Sequence, residues 1–149
     1  MLFAEMACYY EFIGLSLYSV LCSLYEKYGY VLDKTFSIGY SGVTAMQKME
    51  KAVDTLRTQN LTEIGGYKVI ATRDYLSGKR TLASGVESDL EYSKVNCIYY
   101  ELEIGGFVCV RPSGTEPKLK IYYSVKGKDY NLASKALETL SKNFNELLK

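Results

Sequence analysis

The sequence predicts an α+β fold with a β-α-β4-α layout, in which an antiparallel sheet of four to five strands carries two helices on one face. From residue 33 onward the hydrophobic pattern follows the order strand, helix, four strands, helix. Short connections such as Gly105-Gly106 favour antiparallel neighbours. Two amphipathic helices can then cover one face of the sheet, as this fold class requires.

Residues 1–32 are predicted to lie outside this layout as a helical tail. Helices are expected at residues 2–12 and 16–28, with glycines at or near their ends. Both segments are apolar around much of their circumference, so each needs neighbours on several sides. We therefore expect residues 1–32 to be the end of a preceding domain and residues 33–149 to form the next one. Where nothing covers the two helices, they are expected to promote self-association.

Residues 33–40 are expected to form the first strand or an extended link. Ser41 is the predicted N-cap of the following helix. That helix carries an apolar stripe at helical spacing, which predicts that it packs on the core and turns its charged residues to solvent. The stripe consists of Ala45, Met46, Met49, Ala52, Val53 and Leu56.

Gly65-Gly66 predicts a turn, and residues 67–75 a strand. Residues 77–95 are polar and irregular, and they are expected to form the longest loop of the chain. The basic pair Lys79-Arg80 in this loop is expected to be a solvated rim rather than a second anion site.

Two groups of acidic residues are not predicted to be functional. Glu87, Asp89 and Glu91 alternate along the long loop, but they lack the glycine and ligand spacing of a calcium loop. Glu101 and Glu103 resemble paired catalytic carboxylates, yet on an alternating strand we expect them to belong to a solvated face. No metal site is expected in this chain.

The remaining strands are expected at residues 96–104, 107–110 and 119–125. Gly105-Gly106 fits a two-residue hairpin turn that needs positive φ. Asp129 or Asn131 can cap the final helix. The buried stripe of that helix is expected to comprise Ala133, Ala136, Leu137, Leu140, Phe144 and Leu147.

The decapeptide 111–120 joins the last two strands and has the composition of a phosphate cradle. Pro112 biases Arg111 towards extended geometry, so its planar guanidinium leaves the strand end in a defined direction. The small residues that follow allow backbone N–H groups to approach an anion and add hydroxyl donors. The candidate phosphate-binding residues are Arg111, Ser113, Gly114, Thr115 and Lys120. Composition alone leaves an ordinary polar hairpin loop as an equal alternative.

The order of residues in this loop is more specific. Arg-Pro-Ser-Gly-Thr-Glu-Pro-Lys, residues 111–118, resembles the phosphate-binding loop in the last domain of the α-D-phosphohexomutases, the phosphoglucomutase and phosphomannomutase superfamily. Residues 4–10 and 24–30 are similar to the closing helices of the third domain in its bacterial phosphoglucomutase branch. The resemblance implies the TBP-like fold of the fourth domain, which agrees with the layout predicted from the hydrophobic pattern.

The resemblance also implies a function. Such enzymes interconvert hexose 1-phosphate and hexose 6-phosphate through a bisphosphate intermediate, using a phosphoserine in the first domain and Mg²⁺ in the second. The fourth domain holds the phosphate that is not being transferred and closes the cleft. Arg111, Ser113, Gly114 and Thr115 would hold that phosphate, and Lys120 would add a cationic contact. The implied partners are a sugar phosphate, with glucose 1-phosphate and glucose 6-phosphate favoured, and the remaining mutase domains.

The chain lacks the other catalytic parts of the family. It contains no histidine, and therefore no Ser-His-Asn-Pro-type phosphoserine loop. It also contains no Asp-x-Asp-x-Asp metal loop and no Gly-Glu-Glu-Ser-Gly sugar loop. Phosphoryl transfer needs a nucleophile and charge stabilisation that a phosphate clamp alone does not supply. We expect no catalytic residue here and no activity of the isolated chain. The alternative is a free-standing phosphate-binding or protein-interaction module.

Composition and charge also bear on nucleic-acid binding, membrane association and cellular location. A net charge of +1 gives no general attraction to nucleic acid or acidic membranes, so neither is an expected partner. The apolar run 12–24 is too short to span a bilayer. The four cysteines form no Cys-x-x-Cys pair and no signal peptide precedes them, which favours reduced, mostly buried thiols in a cytoplasmic protein.

Overall fold

The computed structural model describes residues 1–92 and 94–148, and within them it contains four helices and eight strands. Ser93, in the predicted long loop, and Lys149, at the end of the predicted domain, lie outside the described residues. In chain order the elements are α1 (Leu2–Phe12), α2 (Leu17–Tyr28), β1 (Tyr30–Gly39), α3 (Ala45–Thr58), β2 (Glu63–Ile64), β3 (Tyr67–Asp74), β4 (Lys79–Leu82), β5 (Glu87–Asp89), β6 (Ile98–Leu102), β7 (Phe107–Pro112), β8 (Lys118–Gly127) and α4 (Tyr130–Leu147).

Seven of the strands form one antiparallel sheet in the order β1-β8-β7-β6-β3-β4-β5, and β2 pairs with β3 off this path. The first and last strands, β1 and β8, pair over ten positions, and β1 forms one edge of the sheet. Helices α3 and α4 pack against the same side of this sheet. The α+β class with an antiparallel sheet and two helices on one face is confirmed.

The two faces of the sheet differ because side chains alternate along each strand. On the covered face, Ile98, Tyr100 and Leu102 of β6 are about 1% exposed and pack beneath the two helices. The helices contribute buried residues at helical spacing: Met49, Val53 and Leu56 from α3, and Ala133, Leu140 and Phe144 from α4. The opposite face, which we call the open face, carries no helix among the described residues and holds the polar side chains of the same strands.

Two strands lie where the sequence predicted a single long loop. Ser77-Gly78 form a turn in which Gly78 has a φ of 73°, and β4 and β5 follow it. Both are short and polar, so neither has an apolar pattern of its own. The structure holds them by pairing β4 with β3 and β5 with β4, and by an ion pair of 2.7 Å between Lys79 and Asp89.

The helix ends follow local capping chemistry. The Asp129 side chain accepts a hydrogen bond of 2.9 Å from the Leu132 N–H, so Asp129 caps α4 rather than Asn131. The Ser41 prediction is wrong, because α3 starts after Thr44. The intervening Gly42 has a φ of 92°, a left-handed conformation that interrupts any helix beginning at Ser41.

The turn at Gly105-Gly106 is longer than predicted. β6 ends at Leu102 and β7 begins at Phe107, so four residues connect the strands instead of two. Only Gly105 has a positive φ, of 74°. Gly106 is required for another reason, since a Cβ at this position would lie 2.2 Å from the Ser124 carbonyl oxygen of β8.

The N-terminal helices form as predicted, with Ser16 capping α2 through a hydrogen bond of 3.1 Å from the Ser19 N–H. Within the described chain neither α1 nor α2 buries a residue, although both are rich in large apolar side chains. No single described helix is long and apolar enough to cross a membrane; α1 and α2 taken together meet that test, with a bend of 91° between them. β1 begins at Tyr30, so the boundary predicted at residue 33 falls inside this strand and stays a prediction.

The cysteines are less buried than expected. Cys97 is buried, Cys22 and Cys109 are half-buried, and Cys8 is exposed. All four are free thiols.

Candidate anion-binding site

The loop between β7 and β8 is fixed by three backbone hydrogen bonds. The Ser113 N–H donates to the Lys118 carbonyl oxygen at 2.8 Å, and the Lys118 N–H donates to that of Glu116 at 2.7 Å. The Tyr40 N–H, just after β1, donates to the Pro117 carbonyl oxygen at 2.8 Å. The loop is therefore tied to its own hairpin and to the neighbouring strand, so its tip has a defined position.

The tip of the loop keeps unused donors. Among the described residues, the N–H groups of Gly114 and Thr115 donate no hydrogen bond, and both residues are exposed. The Ser113 N–H is occupied by the hairpin, so Ser113 can offer an anion only its hydroxyl. Gly114 has no positive φ, and a Cβ there would meet nothing within 4 Å. Folding therefore does not require glycine at this position, whereas close approach of a ligand to the amides does favour it.

Two cations stand directly opposite each other at the base of the loop. Arg111 on β7 pairs in register with Lys120 on β8, and both are exposed on the open face. In the part of the chain that the structure describes, neither forms a salt bridge. Like charges facing each other across an antiparallel pair are destabilising, so an anion bound between them would stabilise this position.

Ser37 extends this row of side chains and was not found from the sequence. It lies on β1 opposite Lys120, so Arg111, Lys120 and Ser37 follow one another across three adjacent strands. Only the pairing of β1 with β8 brings Ser37 here. Nothing in the residues around it distinguishes it from the other polar residues of β1.

Lys118 differs from Lys120 although both project from the same side of β8. Its Nζ lies 2.8 Å from a Glu116 carboxylate oxygen, and this hydrogen bond lowers the pKa of Glu116. Lys118 thus forms an ion pair within the loop, whereas Lys120 forms none among the described residues, although its charge also lowers the pKa of Glu116.

A second cation cluster lies on the open face around Glu101. Arg80 donates two hydrogen bonds of 2.8 Å to the carboxylate, and Arg73 donates one of 2.5 Å. These bonds, Arg80 first, hold the pKa of Glu101 at about 2. The expectation that Glu101 belongs to a solvated face is wrong, since its side chain is only 16% exposed. The Arg80 side chain stays 31% exposed and is ion-paired with Glu101.

The described residues do not fit a magnesium site. They contain no group of three or more acidic, cysteine or histidine side chains able to hold a metal ion. Asp89, in the alternating acidic segment, is bound to Lys79, which lowers the pKa of its carboxyl. No step of the chemistry proposed below is therefore assigned to a metal held by this chain.

The α+β domain presents, among the described residues, cations without an ion pair and free amides from one interstrand loop, which is an arrangement suited to an anion. The sequence comparisons define it further. Residues 75–139 match the sequence model of the "Phosphoglucomutase/phosphomannomutase, C-terminal domain" family. The chain belongs to the phosphoglucomutase/phosphomannomutase family and corresponds to its C-terminal region.

The similar curated proteins are bacterial phosphoglucomutases. The chain is 32% identical over 114 residues to the phosphoglucomutase of Staphylococcus saprophyticus, covering 76% of this chain and 20% of that protein. It is 35% identical over 119 residues to the phosphoglucomutase of Staphylococcus aureus, covering 79% of this chain and 21% of that protein. The chain thus spans about a fifth of the length of the curated relatives that it matches.

A solved structure shares the fold. The crystal structure of the exocytosis-sensitive phosphoprotein parafusin, a phosphoglucomutase from Paramecium, in its open form superimposes with a TM-score of 0.53. The match covers 89% of this chain and 22% of that one at 14% identity. At this identity the likeness supports the fold alone.

Proposed function

We propose that the chain is the phosphate-holding C-terminal part of a phosphohexomutase. The whole enzyme would interconvert hexose 1-phosphate and hexose 6-phosphate through a bisphosphate intermediate. This part would hold the phosphate that is not being transferred and close the cleft over the substrate. Because the similar curated proteins are named phosphoglucomutases, glucose phosphates are the proposed substrates.

The observation that carries the proposal is the facing pair Arg111 and Lys120 beside free loop amides. A phosphate group would bridge the two cations and relieve their repulsion. The Arg111 guanidinium can donate two parallel hydrogen bonds to phosphate oxygens, while Lys120 supplies a compact charge. The Gly114 and Thr115 amides and the Ser113 and Thr115 hydroxyls complete the proposed set of donors.

The remaining catalytic parts are proposed to come from other mutase domains. These would supply the phosphoserine and the Mg²⁺ that stabilises charge during phosphoryl transfer. The apolar, uncovered helices α1 and α2 support this, because another domain can bury them. A cytoplasmic location is proposed with this function, in keeping with four free thiols.

A phosphate titration of the ¹⁵N-labelled chain tests the site. Inorganic phosphate should shift the Gly114 and Thr115 amide resonances in a saturable way, with weak affinity because most of the cleft is missing. Arg111→Ala should abolish this response. Lys126→Ala is the matched control: Lys126 lies on the same face of β8, about 20 Å from Lys120, and its loss should leave the titration intact. Unchanged loop resonances at saturating phosphate would contradict the proposal.

The alternative, that the chain is a free-standing module, is tested through the association behaviour of its N-terminal helices. A self-sufficient module should stay monomeric, whereas a part of a larger enzyme should associate through uncovered apolar surface. Sedimentation should compare the whole chain with a chain lacking residues 1–29, which leaves β1 intact. We expect only the whole chain to self-associate. Measurable glucose 1-phosphate turnover by the purified chain would refute the proposal that catalysis needs other domains.

A further inference from the structure

Two cysteines that are 12 positions apart in sequence meet on the open face. The Sγ atoms of Cys97 and Cys109 are 3.4 Å apart, with a hydrogen bond between the thiols. Cys109 lies in β7 and points to the same face as Arg111, two residues later. Cys97 precedes β6 and would stand opposite Arg111 if the ladder were continued by one pair.

The pair needs only a small movement to become a disulfide. Bonded sulfur atoms are about 2.05 Å apart, so the two Sγ atoms must approach by roughly 1.4 Å. Rotations about the side-chain bonds can supply this, because the thiols already face each other. The last ladder pair is Ile98 with Val110, so the Cys97 backbone is not paired with β7. Its carbonyl oxygen accepts a hydrogen bond of 3.0 Å from the Tyr75 N–H, so the side chains supply the movement.

The surroundings favour a thiolate on Cys97. The hydrogen bond from the Cys109 thiol lowers the pKa of Cys97, and the charges of Arg111 and Arg57 act in the same direction against the effect of burial. The pKa of Cys109 is raised, because its proton is engaged with Cys97 and because the thiol is partly buried. The two sulfurs therefore have distinct roles: a nucleophile and a proton-bearing partner that can resolve the product.

We propose that Cys97 and Cys109 form a reversible intrachain disulfide when the protein meets a hydroperoxide. The Cys97 thiolate attacks one oxygen of hydrogen peroxide and becomes a sulfenic acid, with release of hydroxide. The Cys109 sulfur then attacks the sulfenic sulfur, forming the S–S bond, and the departing hydroxyl leaves as water with the thiol proton. Two thiols lose two electrons and two protons in total, and one peroxide becomes two waters. A dithiol reductant reverses the change.

The bond would link the segment before β6 to the strand that carries Arg111. It would modify the same face of the sheet as the proposed phosphate site, while the thiols of Cys8 and Cys22 lie on the separate N-terminal helices. The disulfide itself does not depend on the proposed function, because its formation is measured without phosphate.

Peptide mapping of the whole chain tests the disulfide. The folded protein is treated with hydrogen peroxide, alkylated, and cut with trypsin, which does not cleave before Pro112 and so leaves both cysteines in the peptide 95–118. A second cut after Glu101 or Glu103 separates this peptide into two pieces unless the sulfurs are bonded. We expect the pieces to stay joined, with two hydrogens fewer in mass and with two of the four thiols protected, and to separate after reduction with dithiothreitol.

Two variants control the result. A Cys8→Ser/Cys22→Ser double variant should form the same bond, and Cys97→Ser should leave Cys109 open to alkylation. The mapping in the unmodified chain does not depend on how well these variants fold. Alkylation of all four cysteines after peroxide, oxidation that stops at sulfinic acid, or a bond that involves only Cys8 or Cys22 would each overturn the proposal.

Discussion

Two cation clusters lie on the same face of the sheet and differ in one respect. Arg73 and Arg80 share the carboxylate of Glu101, which satisfies both of them. Arg111 and Lys120 face each other at the base of the loop, and neither forms an ion pair with a described carboxylate. The cations are chemically similar in the two clusters. The presence or absence of a carboxylate partner therefore decides whether a cluster can accept an external anion.

The comparison separates a structural role from the proposed binding role. In the first cluster the charges hold three strands together, because Arg73 lies on β3, Arg80 on β4 and Glu101 on β6. In the second cluster the charge balance is incomplete, and a phosphate can complete it. The following predictions test this distinction, from the largest expected effect to the smallest.

Removing the counter-ion of the first cluster should have the largest effect. Glu101→Gln keeps the size of the side chain but leaves Arg73 and Arg80 uncompensated, so the free energy of unfolding at pH 7 should fall by about 2 kcal/mol. Urea unfolding measures this change. Glu138→Gln, at an exposed position of α4, is the control and should change stability by less than about 0.5 kcal/mol.

The same variant has a defined pH dependence. The folded-state pKa of Glu101 is held at about 2, below its ordinary value of 4.5, so its contribution is fully present above that ordinary value. The stability difference between the unmodified chain and Glu101→Gln should therefore be constant near neutral pH and shrink as the pH falls from about 4.5 towards 2. A difference that stays constant down to pH 2 would show that the carboxylate charge is not involved.

Replacing one arginine in each cluster with alanine should have opposite effects on phosphate affinity and on stability. Arg111→Ala should weaken phosphate binding by about tenfold or more, since it removes a charge-assisted bidentate contact, with a stability change within about 0.5 kcal/mol. Arg73→Ala should lower stability by about 1 kcal/mol and leave the phosphate titration unchanged. Calorimetric phosphate titration and urea unfolding of both variants measure this; equal losses of phosphate affinity would remove the distinction between the clusters.

Replacing Lys120 should change stability in opposite directions without and with phosphate. At low ionic strength without phosphate, Lys120→Met should raise the free energy of unfolding by up to about 0.5 kcal/mol, because it relieves the repulsion of Arg111. In phosphate the unmodified chain should gain stability that the variant does not gain. Chloride at equal ionic strength is the control, and a variant less stable under all these conditions would argue that Lys120 has a packing role.

Gly114 should show the smallest effect on stability. A Cβ at this position meets nothing within 4 Å and no positive φ is required, so Gly114→Ala should unfold within about 0.5 kcal/mol of the unmodified chain. If a phosphate approaches the amides closely, the same change should weaken phosphate binding by several-fold. Gly105→Ala, at a φ of 74°, is the contrasting variant and should lose stability without a change in phosphate affinity.

Part of the fold was predictable because some segments carry their own pattern. The alternation of Ile98, Tyr100 and Leu102 identified β6, and Asp129 was correctly expected as a possible cap. β4 and β5 were missed since short polar strands have no apolar alternation, and they depend on pairing with β3 and on the Arg80–Glu101 contact. The start of α3 was misplaced because Ser41 is a favourable capping residue locally, while Gly42 turns the chain away.

The residues of the candidate site also fall into two groups, those that the sequence could predict and those that it could not. The loop residues Arg111, Ser113, Gly114 and Thr115 are contiguous, so their order in the sequence was sufficient to propose them together. Ser37 and the hydrogen bond from Tyr40 to Pro117 come from a strand some 80 residues earlier and could not be found without the β1–β8 register. The binding of Glu101 by Arg73 and Arg80 likewise required strands brought together by the sheet.

The sequence by itself determined the elements whose formation depends on neighbours along the chain: the apolar helices, the alternating strands, the Asp129 cap and the order of residues in the 111–118 loop. The tertiary structure decided which of the described cations have an ion-pair partner and which do not, and it brought Cys97 against Cys109. The physical reason is that hydrophobic period and capping act over a few residues, whereas charge balance acts through space across strands that only the folded sheet makes adjacent.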